Sequence, residues 1–303
     1  MNSLERIKTP HDRTDVRIPV PEFKADHQQP GTWFMPKDWH GRAVLLICGA
    51  GDNRSAFKWM LFDKLLADHL AVLTVDPPGH GDFMQVPVTV ATAQHAAQAA
   101  SDWLHRLPGV SIVGVIGISF GGNQAVWLTS HDLRIAALVV MASPVKLTAV
   151  TRWVITREAI NLLWPNNVRL LRHMPFPEIW SEWRSLKGAW YGESLYDMVD
   201  TFKMLDTIRS IGARPKLFVH GTRDSAVPSS NATLMHEAAL PERDILLVPQ
   251  ATHLSVMLHE KPMQTVADWM RDKLERAEKS AVSSKAQLNP LPAEVDAYAS
   301  VSS

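Results

Sequence analysis

The sequence of 303 residues contains a single cysteine, Cys48, and therefore forms no disulfide bond within the chain. Cys48 ends an apolar run, which favours the role of a small buried hydrophobic residue over a redox or catalytic role. Lysine and arginine together number 31, as do aspartate and glutamate, so the formal net charge is zero. This balance gives no indication of binding to nucleic acid or to an anionic membrane surface.

Long apolar segments are also missing. No stretch reaches the roughly 18 uninterrupted apolar residues of a membrane-spanning helix, and residues 1–8 lack the apolar core of a signal peptide. We therefore expect a cytoplasmic protein without a membrane span. Histidine, aspartate and glutamate form no metal-binding pattern such as H-E-x-x-H, and the glycines fit neither a dinucleotide-binding pattern nor a P-loop. We expect neither a metal nor an organic cofactor.

The strongest chemical signal lies in residues 111–122. An apolar run from Ile112 to Ile116 predicts a buried strand, which leads into a G-x-S-x-G motif with Ser119 at its centre. A helix-compatible segment follows. Strand, tight turn and helix in this order are the context in which the motif presents a nucleophilic serine, because its glycines relieve the crowding in the turn. The N-terminus of the helix favours a developing negative charge beside Ser119.

A serine hydroxyl needs a base to take its proton and a carboxylate to orient that base. Asp224 begins the loop after an apolar strand that starts near Pro215, and His253 lies in the loop after another strand, at Asp244–Pro249. We predict that Ser119, Asp224 and His253 form a catalytic triad. The order Ser, Asp, His along the chain is that of one family among several that use this constellation.

On these residues the chain resembles the α/β-hydrolase family. Residues 43–51 resemble the strand and the oxyanion loop that reads His-Gly-x-Gly in many members, with Cys48 where many relatives carry histidine. Residues 70–81 resemble the next strand and its Asp-x-Pro-Gly-x-Gly loop. The resemblance implies that the backbone N–H groups of Ala50 and Phe120 form the oxyanion hole.

The order of the predicted elements agrees with this family. Apolar strands alternate with helical segments at residues 55–69 and 89–107, which predicts an α/β fold with a mostly parallel central sheet flanked by helices. The resemblance covers roughly residues 12–281. It implies the α/β-hydrolase fold with a helical cap inserted after the sixth strand.

We expect one hydrolase domain over residues 1–281, with the cap at about residues 145–205. Its last helix is predicted at residues 262–281. Residues 282–303 are rich in Ala, Ser and Pro and show little periodicity, which predicts a disordered C-terminal tail.

The predicted cap is rich in aromatic residues and in positive charge. Its first half carries five lysines and arginines and one acidic residue, Glu158, which indicates a solvated helical face and also fits an acidic substrate. Five of the eleven tryptophans lie in the cap. They are candidates for lining a substrate pocket, although packing of the cap itself accounts for more of them. The five are Trp153, Trp164, Trp180, Trp183 and Trp190.

The triad and the resemblance together predict a serine hydrolase, most simply a carboxylesterase for a small hydrophobic acyl substrate. Thioesterase, amidase, peptidase and acyltransferase reactions stay open because they share the acyl-enzyme half-reaction. A ligand receptor of hydrolase fold with little turnover is the alternative from another functional class. His80 and His220 lie in glycine-flanked loops, where we expect them to brace the loops by hydrogen bonding rather than to react.

Overall fold

The structure, a computed structural model, describes residues 3–55, 58–147, 152–162, 167 and 192–288. Strands and helices alternate along most of this part of the chain. The strands are β1 (His11–Ile18), β2 (Gln29–Pro36), β3 (Arg42–Ile47), β4 (Ala71–Val75), β5 (Ile112–Ile118), β6 (Ile135–Met141), β7 (Lys216–Gly221) and β8 (Arg243–Val248). The helices are α1 (Trp59–Ala67), α2 (Val90–Arg106), α3 (Phe120–His131), α4 (Arg152–Leu162), α5 (Leu195–Thr201), α6 (Met204–Ser210), α7 (Ser230–Ala238) and α8 (Glu260–Leu288).

The eight strands form one sheet with the order β1-β2-β4-β3-β5-β6-β7-β8. β2 pairs antiparallel with both β1 and β4, and every other pair of neighbours is parallel. The predicted α/β fold with a mostly parallel sheet is confirmed.

Helices cover both faces of the sheet, so the central strands are apolar on both sides. Leu45 and Ile47 of β3 belong to a buried cluster with residues of α2, α3 and α7. Val44 and Leu46 belong to the cluster on the opposite face, with residues of α1 and α8. Burial on both faces produces the continuous apolar runs from which the sequence predicted these strands.

The parallel pairing gathers the predicted site residues at one edge. The loops after β3, β5, β7 and β8 all leave the carboxyl ends of parallel strands. These loops carry Ala50, Ser119, Asp224 and His253 respectively. Open α/β sheets bind their ligands at this edge.

The turn between β5 and α3 is closely packed against the end of β3. A Cβ atom on Gly121 would lie 2.3 Å from the carbonyl oxygen of Ile47 and 2.4 Å from that of Cys48. A Cβ atom on Gly117 would lie 2.5 Å from the carbonyl oxygen of Gly121. The neighbouring atoms are backbone and cannot move aside, so only glycine fits both positions.

The chain between β6 and β7 contains α4, α5 and α6 in its described part. The predicted cap at residues 145–205 includes α4, α5 and only the first two residues of α6, but residues 148–151, 163–166 and 168–191 lie outside the described residues. The cap therefore stays a prediction.

The last helix, α8, continues to Leu288, whereas the sequence predicted its end at Ala281. Residues 282–288 contain alanine, lysine, glutamine and leucine, which are good helix formers. The remainder of the predicted tail, residues 289–303, lies outside the described residues.

We predict that shortening the chain to end at Ala281 leaves the free energy of unfolding unchanged, whereas ending it at Lys273 lowers that free energy. The second truncation removes Leu274, whose buried side chain contributes about 2–5 kcal/mol. It also removes Glu275 and Glu278, which pair with Arg42 at 2.8 and 3.0 Å. Urea unfolding of both truncated proteins tests this, and equal midpoints would contradict it.

We predict that Gly121→Ala lowers the free energy of unfolding by about 3 kcal/mol, because the added methyl group overpacks the turn. Gly212→Ala is the control. It has a φ of +71° but no atom within 4 Å of the added Cβ, so it costs only the left-handed backbone penalty of about 1 kcal/mol. Denaturant titration measures both variants. A Gly121 variant no less stable than the Gly212 variant would show that the turn has room for a side chain.

Candidate active site

The structure brings the three predicted triad residues together. His253 Nε2 lies 3.1 Å from Ser119 Oγ, and His253 Nδ1 lies 2.7 Å from Asp224 Oδ2. The three residues come from the separate loops after β5, β7 and β8. A carboxylate, an imidazole and a hydroxyl joined in this order can activate a serine for nucleophilic attack.

Ser119 has a backbone conformation that is rare for a residue other than glycine, with φ 52° and ψ −125°. Its N–H donates to the carbonyl of Met141 at 2.8 Å, and its carbonyl accepts from the N–H of Gly122 at 2.9 Å. These bonds hold a conformation that costs about 1–3 kcal/mol. Ser119 is thus the single residue between β5 and α3, and its hydroxyl lies beside His253.

Asp224 is fixed by hydrogen bonds to both of its oxygens. Oδ1 accepts from the backbone N–H groups of Ala226 at 3.0 Å and Val227 at 2.7 Å, while Oδ2 faces His253. Burial alone would raise the pKa of Asp224, but the charge of His253 and hydrogen bonds from His220 and His253 lower it to about 2. The carboxylate is therefore ionised at neutral pH.

The environment of His253 suits a general base. Burial alone would lower the pKa of His253, but the carboxylates of Asp224 and Glu158 outweigh it and raise the pKa above its ordinary value. Because Nδ1 faces a carboxylate, it carries the proton in the neutral ring. The lone pair of Nε2 then points to the hydroxyl of Ser119.

His220 holds the loop that carries Asp224. Its fully buried Nε2 donates to the carbonyl of Val227 at 2.8 Å and lies 3.2 Å from Asp224 Oδ2. His80 Nδ1 similarly donates to the carbonyl of Pro78 at 2.7 Å. Both histidines brace their loops, as the sequence predicted.

The predicted oxyanion loop passes directly beside Ser119. A Cβ atom on Gly49 would lie 2.9 Å from the Cβ of Ser119, so the main chain at this point lies against the serine. Ala50 follows Gly49, and its side chain packs against the apolar cluster that contains Phe120. The two residues predicted to donate N–H groups thus lie close to Ser119 in two different segments, Phe120 as its neighbour in the chain and Ala50 as the neighbour of Gly49.

Lys58, which no motif in the sequence indicated, braces the predicted oxyanion loop. Its ammonium group is fully buried, pairs with the carboxylate of Asp52 and donates to the carbonyl of Asn53 at 2.7 Å. The buried carboxylate of Asp76 accepts from the N–H of Arg54 at 2.8 Å and pairs with its guanidinium. The resemblance to an Asp-x-Pro-Gly-x-Gly loop indicated that Asp76 is important, but no motif in the sequence indicates a role for Lys58.

Cys48 supplies none of this bracing. It is fully buried, its Sγ lies 3.8 Å from Thr74 Oγ1, and burial raises the pKa of its thiol well above the ordinary range. The thiol is therefore neutral, which agrees with its predicted role as a small hydrophobic residue.

Helix α5 packs on Phe120, the residue that follows Ser119. Met198, Val199 and Phe202 form a buried cluster with Phe120, and the rings of Phe120 and Phe202 meet edge to face with centroids 5.9 Å apart. The sequence between β6 and β7 therefore contributes apolar side chains next to the site.

Only one of the five candidate tryptophans is described. Trp153 on α4 is 65% exposed, and the guanidinium of Arg157 lies 5.2 Å from the centre of its ring. The other candidates lie outside the described residues. They are Trp164, Trp180, Trp183 and Trp190.

No helix in the described part of the chain is long and apolar enough to cross a membrane. Nor does that part of the chain contain a group of three or more His, Cys, Asp or Glu side chains arranged to hold a metal ion.

Solved structures similar to this chain share its fold at low sequence identity. A hypothetical protein from Pseudomonas aeruginosa is 18% identical with a TM-score of 0.65, covering 88% of this chain and 95% of that one. An esterase from Pyrococcus furiosus is 18% identical with a TM-score of 0.60, covering 87% and 94%. A bromoperoxidase from Bacillus anthracis is 15% identical with a TM-score of 0.63, covering 85% and 99%.

At the level of sequence, no curated protein gives a significant match. The model of one family does match, over residues 44–269. This range begins in β3 and ends in α8, so it includes the G-x-S-x-G turn and the loops that carry Asp224 and His253. The chain belongs to the alpha/beta hydrolase family.

Proposed function

We propose that this protein is a serine hydrolase that cleaves a carboxylic ester of a small hydrophobic substrate. The observation that carries the proposal is the continuous hydrogen-bonded series from Asp224 Oδ2 through His253 to Ser119 Oγ, with distances of 2.7 and 3.1 Å. The similarity to the Pyrococcus furiosus esterase supports ester cleavage as the reaction.

The reaction proceeds in two halves. Ser119 Oγ attacks the acyl carbon while His253 Nε2 takes the hydroxyl proton, and the carbonyl oxygen becomes an oxyanion. The bond to the alcohol oxygen then breaks, and His253 returns the proton to the leaving alcohol. Water repeats the same steps on the acyl-enzyme, releases the carboxylic acid and restores Ser119. Asp224 stabilises the imidazolium in each half.

The oxyanion is stabilised by two backbone donors. The N–H groups of Ala50 and Phe120 bind it, and Phe120 also begins α3, whose N-terminus favours negative charge. One such donor contributes about 3–4 kcal/mol to the transition state. The Lys58–Asp52 pair and the Asp76–Arg54 pair hold the loop of Ala50 in place.

The cap over residues 145–205 forms the roof of the substrate pocket in this proposal, and its tryptophans are the candidate lining residues. The contacts of α5 with Phe120 support a roof at this position.

Reactivity with a fluorophosphonate probe tests for an activated serine, and turnover tests the leaving group. We expect labelling at Ser119 and faster cleavage of p-nitrophenyl esters than of acyl-thioesters or aminoacyl-anilides. Turnover of esters with a series of acyl chain lengths then measures which chain length the pocket prefers. Faster cleavage of a thioester or an anilide would contradict ester cleavage and favour thioesterase or amidase activity. Labelling without turnover would favour a ligand receptor.

We predict that Ser119→Ala and His253→Ala each remove nearly all ester turnover while the protein stays folded. Residual catalysis of about 10³–10⁴-fold over water persists from the oxyanion hole. The double variant loses little more, because triad members act as one unit. Ser130→Ala, a serine substitution on helix α3 away from the triad, is the matched control and keeps full turnover. Additive losses in the double variant, or several per cent of turnover in Ser119→Ala, would contradict the proposed roles.

We predict that kcat/KM falls at acid pH with a midpoint above about 6.5, the ordinary imidazole pKa. The carboxylates beside His253 raise its pKa, so the ring protonates, and stops acting as a base, at a higher pH than a free imidazole. Asp224→Asn moves this midpoint to lower pH and lowers the plateau by up to about four orders of magnitude. A pH–rate profile of both proteins measures these shifts, and a midpoint unaffected by Asp224→Asn would exclude His253 as the titrating base.

A further inference from the structure

Helix α4 contacts both loops that carry charged members of the site. Glu158 is buried at 8% exposure, and its two carboxylate oxygens bind different loops. Oε2 accepts from the N–H of Ser225 at 3.1 Å, and Oε1 accepts from the N–H of Leu254 at 3.4 Å. Ser225 and Leu254 immediately follow Asp224 and His253, so one side chain links the two loops.

Amide side chains beside Glu158 extend this link. Asn161 Nδ2 donates to the carbonyl of Arg223 at 3.0 Å and to the hydroxyl of Ser225 at 2.8 Å. Asn167 Nδ2 donates to the carbonyl of Gln250 at 2.9 Å. The loop of Asp224 is thus bound on both sides of the carboxylate, at residues 223 and 225.

Glu158 also places a second negative charge near His253. Among the described residues, the ionisable groups that act on His253 are Asp224 from the loop after β7 and Glu158 from α4. His220 from β7 faces Asp224 rather than His253. Asp224 meets the ring at Nδ1, whereas the charge of Glu158 acts from helix α4, where Oε1 accepts from the N–H of Leu254, the residue after His253.

We infer that Glu158 is a positioning residue that holds the Asp224 and His253 loops together and stabilises the imidazolium of His253. The inference rests on the proposed serine hydrolase function. Glu158 does not touch Ser119 and takes no proton. Its hydrogen bonds fix the two loops, and its charge favours the state of His253 that forms when Ser119 gives up its proton.

A charged side chain is needed for the second role but not for the first. A glutamine can accept one of the two backbone hydrogen bonds and fills the same space. A buried carboxylate is costly unless its charge is compensated. The imidazolium of the transition state supplies that compensation, and a purely structural link would not require it.

The test compares Glu158→Gln with the wild-type protein. NMR titration measures the pKa of the His253 imidazole, whose signals are assigned by their absence in His253→Ala. It shows the effect of the Glu158 charge on this pKa without depending on ester turnover. We expect His253 of Glu158→Gln to titrate at lower pH and the acid limb of kcat/KM to move with it. The ratio of kcat/KM at about pH 5 to that at about pH 8 rises about twofold or more, while the plateau falls about threefold or more. Glu237→Gln, which removes an exposed charge on α7, is the control. It changes neither the His253 titration nor the pH dependence of kcat/KM.

An unchanged His253 titration in folded Glu158→Gln would overturn the inference, even if kcat fell. Should Glu158→Gln not fold, Glu158→Asp and Glu158→Asn form a second pair that differs only in charge, and equal His253 titrations in that pair would likewise overturn the inference. Fluorophosphonate labelling of Ser119 separates this failure from that of the proposed function. If the wild-type protein is labelled at Ser119 and cleaves ester, the proposed function holds regardless of the role of Glu158. The NMR titration tests the role of Glu158 independently, whether or not ester is cleaved.

Discussion

The site depends on the close approach of the turn between β5 and α3 to the end of β3. Backbone atoms of Ile47 and Cys48 lie where a side chain at Gly121 would be. This packing holds Ser119 in a strained conformation and brings the main chain of Gly49 against it. One steric constraint therefore presents the hydroxyl of Ser119 and places the predicted oxyanion loop beside it. Neither feature would survive if the turn moved away from β3.

Around this turn, buried charges help to hold the surrounding loops because each charge has a nearby partner. Lys58 pairs with Asp52 within the connection between β3 and α1, and Asp224 in the loop after β7 pairs with His253 in the loop after β8. Removing one partner of such a pair leaves an uncompensated buried charge, which costs about 3–5 kcal/mol. Under the proposed function, these pairs hold the loops in place before substrate binds, and such preorganisation is the main source of electrostatic catalysis.

The sequence predicted the features that leave a local signal. Strands buried on both faces read as apolar runs, and the G-x-S-x-G turn carries its glycines within five residues of chain. His253 could be selected because the order of strands placed it at the same edge as Ser119. Glu158 was missed because the N–H groups of Ser225 and Leu254 are distant in the sequence and only folding brings them near. Lys58 was missed because its partners, Asp52 and Asn53, lie in a loop without a recognisable motif. The end of α8 was missed because helix-forming residues continue past Ala281 without a stop signal.

The segment between β6 and β7 contacts the site from two sides, and this has a consequence for selectivity. Helix α5 packs on Phe120, next to Ser119, while Glu158 on α4 binds the loops of Asp224 and His253. A substrate that displaces this segment therefore also changes the hydrogen bonds and the charge around His253. Under the proposed function, the shape of the pocket and the basicity of the catalytic histidine are coupled through the same residues. Substitutions in α4 then alter acyl preference and the pH dependence of the rate together, whereas substitutions in α5 alter preference alone.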